Sequence, residues 1–84
     1  MPDYLASGMP KISTIHWKKF EKFLEYIGCS LVREASSHRI LDMKDLLRPV
    51  VLQKVKDLPV FIIRNNLRIL GISQSEYLEI LAKL

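Results

Sequence analysis

The spacing of apolar residues changes twice along the chain, and this change restricts the folds that the sequence can adopt. The middle of the chain carries short runs with β-branched residues, which favour strands. On both sides of it, apolar side chains recur every three or four residues, the period of a helix with one buried face. In the first such segment they are Trp17, Phe20, Phe23, Leu24 and Ile27. The pattern predicts an α+β domain in the order helix, three strands, helix, helix.

In the first half of the chain, residues that cap or end helices and the short connections between strands predict where each element begins and ends. The first helix is expected from Thr14 to Ile27, because Ser13 or Thr14 can cap its start and Gly28 can end it in a left-handed conformation. Three strands should follow as an antiparallel sheet, since the connections between them are short. Their expected ranges are 29–34, 38–42 and 49–55.

The second half carries clear helix signals. Pro59 suits the first turn of a helix, and Gly71 is placed to end it. The sequence Ser-Gln-Ser-Glu at 73–76 is a capping box, which predicts a short additional C-terminal helix to about Lys83. We expect these helices to pack on one face of the sheet, with Asn66 on a helix surface and Trp17 in the core.

Length and composition limit the class of protein. The chain has 84 residues, which allows one domain, expected over residues 10–84 after a flexible extension of residues 1–9. With 49% hydrophobic and 26% charged residues it should fold. The apolar run at 59–63 is far shorter than the roughly 20 residues of a membrane span. A single cysteine, Cys29, allows neither an internal disulfide nor a thiolate metal cluster, so we expect a cytoplasmic protein without metal or cofactor.

Positive charge is concentrated in the middle of the chain. The formal net charge is +4, and residues 39–68 alone hold seven basic against three acidic side chains. A localised positive surface suits a polyanion such as RNA. The alternative is that these charges only keep a small protein soluble.

Four segments resemble the HicA toxin family, small ribonucleases with a fold like the double-stranded-RNA-binding domain. They are MPKIST at 9–14, IGCSLVRE at 27–34, SSHRIL at 36–41 and LRILGISQSEYLEIL at 67–81. The resemblance covers about residues 9–81 and implies an mRNA-cleaving endoribonuclease of a type II toxin–antitoxin system, with a HicB-type antitoxin protein as its partner. Three positions depart from the family pattern: Ser36 replaces a glycine, Leu41 replaces an aromatic residue, and 53–56 (QKVK) lack a second histidine.

The resemblance makes His38 the expected catalytic residue. Cleavage of RNA by its own 2′-hydroxyl needs a group that takes the proton, and an imidazole with a pKa of about 6.5 suits this step. Guanidinium groups bind phosphate through two parallel hydrogen bonds, so Arg33 and Arg39 are the expected phosphate contacts at the site. His16 could supply a second proton only if the fold brings it near His38. The full set of expected RNA-binding residues is Lys11, Arg33, Arg39, Arg48, Lys54 and Lys56.

Two other functions stay open at this point. The same fold could bind RNA without cleaving it, which the missing glycine and histidine favour. It could also be a protein-interaction domain with no nucleic-acid role.

Overall fold

The structure is a computed structural model that describes residues 11–84, so the expected extension 1–9 lies outside the described residues. It confirms the α+β order of one helix, a three-stranded antiparallel sheet and two helices. The elements are α1 Trp17–Tyr26, β1 Ser30–Glu34, β2 His38–Asp42, β3 Val50–Gln53, α2 Val60–Leu70 and α3 Gln74–Lys83.

The strand register decides which side chains share a face of the sheet. The strands lie in the order β1-β2-β3, and residues directly opposite each other point to the same side. Leu41, Val50 and Leu52 are fully buried, so their side faces the helices. The opposite side, here called the open face, carries Arg33, His38, Ile40, Val51 and Gln53.

The hydrophobic core lies between the sheet and the helices. Phe20 and Phe23 of α1 are fully buried and contact Tyr77 of α3, with the Phe23 and Tyr77 ring centroids 4.8 Å apart at an edge-to-face angle of 88°. Such pairs add to the stabilisation that burial of the rings provides. None of the helices within residues 11–84 has the length and apolar composition needed to span a membrane.

The first helix begins later than predicted, at Trp17 instead of Thr14. The preceding residues are extended because Ile15 forms a bridge with Leu58, whose N–H donates to the Ile15 carbonyl at 2.8 Å. The cap is neither Ser13 nor Thr14 but His16, whose Nδ1 accepts a hydrogen bond from the Lys18 N–H at 3.1 Å. The start of α1 therefore differs from the prediction because Ile15 pairs with a residue far away in the sequence.

Both outer strands are shorter than predicted. The Cys29 N–H donates to the Leu24 carbonyl at 2.9 Å, so Cys29 still belongs to the end of α1 and β1 begins at Ser30. The Val55 N–H donates to the Gln53 carbonyl at 2.9 Å, and this tight turn ends β3 at Gln53.

The helix signals of the second half are confirmed with one shift. Pro59 is the cap of α2, one position before its first turn. Gly71 has φ 71°, and the Ile72 N–H donates to the Leu67 carbonyl at 3.0 Å, as the left-handed helix end requires. Ser73 Oγ accepts a hydrogen bond from the Glu76 N–H at 3.1 Å and starts α3.

Candidate functional site

His38 is the first residue of β2 and lies on the open face, directly opposite Gln53 of β3. It follows the short connection Ala35–Ser37, and the Ala35 N–H closes this turn by donating a hydrogen bond to the His38 carbonyl at 2.8 Å. Its ring is half-buried, and Nδ1 lies 2.9 Å from Ser37 Oγ. Within residues 11–84 no group hydrogen-bonds Nε2, so this nitrogen can meet a ligand.

Arg33 lies on the same face as His38. It is opposite Ile40, two residues along β2 from the histidine, which makes Arg33 a diagonal neighbour. Diagonal neighbours in a sheet are roughly 7–8 Å apart, within reach of a long side chain. The Arg33 side chain is exposed and forms no ion pair within the described part of the chain. The sheet thus brings together the expected proton acceptor and one expected phosphate contact.

Arg39 does not share this face, although it adjoins His38 in the sequence. It lies opposite Glu34 and Leu52 and points toward the helices. Its Nε donates to Glu21 Oε2 at 2.7 Å and its Nη1 to Glu34 Oε2 at 2.8 Å, leaving the side chain 19% exposed. The hydrogen bond that Arg39 donates to Glu21 raises the pKa of this guanidinium above its ordinary value. Of the two arginines expected to contact phosphate, Arg39 is therefore engaged by carboxylates on the face opposite to that of His38.

Lys54 is held in the same ionic network. Its Nζ donates to Glu34 Oε2, and the hydrogen bonds from Lys54 and then Arg39 lower the pKa of the Glu34 carboxyl. The Lys54 N–H donates to the Ser37 carbonyl at 3.0 Å, which fixes the chain after β3 beside the turn that precedes His38. The network consequently supports the end of the sheet where the histidine sits.

Trp17 is partly buried and packs against the edge of the core, and its ring also faces cations. The Arg39 Cζ lies 5.6 Å and the Lys54 Nζ 6.0 Å from its centroid, both within the range of cation–π attraction. Sequence reasoning missed this role, since the helical spacing of Trp17 is the same as that of the buried phenylalanines.

The other expected RNA-binding residues are exposed at separate places. Lys11 lies in the segment before α1, Arg48 in the β2–β3 connection and Lys56 in the turn before α2. None of the three forms an ion pair with another residue between 11 and 84. Arg48 differs from the other two, because it lines a depression between β3 and α2.

Two residues considered for chemistry have structural roles. His16 uses Nδ1 to cap α1 and stacks on Trp17 with ring centroids 6.1 Å apart. Cys29 is buried, and desolvation raises the pKa of its thiol, which disfavours the reactive thiolate. Across residues 11–84 no group of three or more histidine, cysteine, aspartate or glutamate side chains is placed to hold a metal ion.

The position opposite His38 is occupied by an amide. Gln53 lies directly across the β2–β3 pair and is exposed on the open face. An amide can orient a substrate by hydrogen bonding but cannot exchange a proton near neutral pH. The site therefore offers one imidazole beside one guanidinium that forms no ion pair within residues 11–84.

Comparison with known proteins gave no match to a family model, to a curated protein or to a solved structure.

Proposed function

We propose that this protein is a metal-independent endoribonuclease of the HicA toxin type, which cleaves mRNA and uses His38 for proton transfer. The observation that carries the proposal is that His38 and Arg33 are diagonal neighbours on the open face of the sheet, where Arg33 forms no ion pair with any residue from 11 to 84. A histidine that merely filled a strand end would need no neighbouring cation, whereas within residues 11–84 Arg33 is in no ion pair and no group hydrogen-bonds His38 Nε2.

The chemistry follows from the two side chains. The 2′-oxygen of the substrate forms a bond to the adjacent phosphorus and the bond to the 5′-oxygen breaks. His38 Nε2 takes the proton of the 2′-hydroxyl, while Ser37 Oγ at Nδ1 orients the ring. Arg33 pairs with the non-bridging oxygens, whose charge increases in the transition state. The products are a 2′,3′-cyclic phosphate and a 5′-hydroxyl, whose oxygen takes its proton from water.

The partner and location belong to the same proposal. A HicB-type antitoxin would cover the open face, and both proteins would work in the cytoplasm, where mRNA is present. An exposed face with Val51 and Ile40 between charged residues suits such a cover, because interfaces combine an apolar centre with a polar rim.

The test compares RNA cleavage by the parent protein and two histidine variants in EDTA. His38→Ala should abolish cleavage. His16→Asn is the matched control, because it removes the other imidazole while asparagine can still cap α1. Equal cleavage by the parent and His38→Ala would refute the role of His38, and cleavage that stops in EDTA would refute a metal-independent reaction.

A second candidate function is RNA binding without cleavage, and Gln53 is the observation that favours it. Cleavage needs a proton for the leaving 5′-oxygen as well as an acceptor for the 2′ proton, and Gln53 stands opposite His38 where a donor would be useful. A parent protein that shifts RNA in a salt-dependent manner and leaves it intact would establish this function instead.

A further inference from the structure

A groove runs between β3 and the outer side of α2. One depression in it has a volume of about 250 Å³, and adjoining depressions extend it along α2. We call this surface the α2 groove; its wall and floor include Arg48, Pro49, Val51, Ile62, Asn65 and Ile69. Val51 also belongs to the open face, so the groove continues the surface that carries His38.

Three arginines border the α2 groove, and among the described residues no aspartate or glutamate lines it. Arg64 and Arg68 stand one helical turn apart on α2 and border one depression, and Arg48 of the β2–β3 connection borders the adjoining depression together with Arg68. The sequence of α2 contains no aspartate or glutamate. Within residues 11–84 none of the three arginines forms an ion pair. Cations repeated along a groove match the repeated phosphates of a nucleic-acid strand.

An exposed aromatic ring lies at one end of this line of charge. Phe61 is 71% exposed and borders the same depression as Arg64 and Arg68. Exposure of a large apolar ring has a cost in water unless a ligand covers it. Bases of a single strand stack on aromatic rings beside arginines, whereas bases in a duplex are already stacked on each other.

Asn66 lines the α2 groove, and its side-chain amide has no hydrogen-bond acceptor within residues 11–84. Asn66, expected on the surface, is only 5% exposed, and its Nδ2 has no hydrogen-bond partner among residues 11–84. The residue lines the depression between β3 and α2. Leaving a buried amide without a hydrogen-bond partner is unfavourable.

We infer that the α2 groove binds single-stranded RNA, with Arg48, Arg64 and Arg68 on the phosphates and Phe61 stacked on a base. The inference rests on the proposed function and extends it, since it gives the substrate a path from His38 across β3 to α2. The occupant is RNA rather than an acidic protein segment because the charges are spread along the groove and end at an exposed ring.

The experiment measures binding of a labelled single-stranded 2′-O-methyl RNA of about 12 nucleotides, a length that suits a groove on a small domain. This probe has no free 2′-hydroxyl, so it cannot be cleaved and binding is separated from the role of His38. Arg64→Gln with Arg68→Gln should lower the slope of log affinity against log salt by roughly 1.4, because each phosphate contact on a single strand contributes about 0.7. The matched control is Lys22→Gln with Lys83→Gln, which removes the same charge from exposed positions on α1 and α3 and should leave the slope unchanged.

Phe61→Ala gives a second, uncharged readout. It should weaken binding of the single strand roughly tenfold and leave binding of the corresponding duplex unchanged. Equal salt slopes for the arginine and lysine variants, or equal single-strand affinity for Phe61→Ala and the parent, would overturn the inference while the proposed function stands. A parent protein that does not bind the probe even at low salt would also overturn the inference, while the cleavage assay in EDTA tests the proposed function separately.

Discussion

Tyr77 places a hydroxyl group inside the aromatic core, and its replacement by phenylalanine should stabilise the protein. The residue is 1% exposed, and Oη has no hydrogen-bond partner among residues 11–84. Leaving a buried polar group unpaired costs about 1–3 kcal/mol. Tyr77→Phe removes the hydroxyl and keeps the ring that packs against Phe20 and Phe23. We therefore expect the free energy of unfolding to rise by about 1 kcal/mol.

The assay is urea unfolding followed by circular dichroism, together with a thermal scan. A change of about 1 kcal/mol should raise the melting temperature by roughly 4–8 °C in a domain of this size. Tyr26→Phe is the matched control, because it removes the same hydroxyl from a side chain that is 53% exposed, and it should change little. A loss of stability in Tyr77→Phe that Tyr26→Phe does not show would refute the reasoning, since the hydroxyl would then have a favourable partner.

The parent protein and Tyr77→Phe also test the ionisation of Tyr77. Burial raises its pKa from 10.0 to about 12, so above pH 10 the unfolded chain loses this proton first. A group that binds its proton more tightly in the folded state stabilises the fold below its unfolded pKa, and this contribution is lost as pH rises from 10 toward 12. At pH 11 the advantage of Tyr77→Phe over the parent should therefore widen by about 1.4 kcal/mol. A constant difference between neutral pH and pH 11 would contradict the raised pKa.

Three further predictions concern the site and the helix ends. Glu34→Gln should strengthen RNA binding and steepen its salt dependence, because the carboxylate that holds Lys54 is removed; titration with labelled RNA measures both. Gln53→His should raise the rate of RNA cleavage at least tenfold, since it places a second imidazole opposite His38; product formation over time measures the rate. Gly71→Ala should lower the free energy of unfolding by roughly 1 kcal/mol, because alanine resists the φ of 71° found there; urea unfolding measures the loss.

For each of these predictions, a specific result would contradict the reasoning. Glu25→Gln removes an exposed carboxylate that is in no ion pair within residues 11–84, and equal gains in affinity for it and Glu34→Gln would show that net charge alone is responsible. Gln53→His combined with His38→Ala should be inactive, and activity in that double variant would contradict a shared site. Among the described residues, no atom of a neighbouring element lies within 4 Å of a Cβ placed at Gly71, so a clash would not explain a loss of stability. Unchanged stability in Gly71→Ala would therefore contradict the conformational cost.

The sequence by itself determined the order of the elements and those of their ends that depend on local signals. The apolar spacing of α1, the strand at His38–Asp42, Gly71 and the Ser73 cap depend on residues within one or two turns of each other, so local physics is sufficient. Of the candidate site, the sequence supplied His38 and a positive surface, and the family resemblance supplied the chemistry proposed for them.

Only the tertiary structure decided which side chains share a surface. Ile15 pairs with Leu58 and delays α1, Glu21 and Glu34 hold Arg39 away from the open face, and Asn66 turns inward. Each outcome depends on residues far apart in the chain, whose encounter no local pattern encodes. A shift of one residue along a strand moves a side chain to the other face of the sheet. Only the register of the strands therefore shows that Arg33 and Arg39 lie on opposite faces.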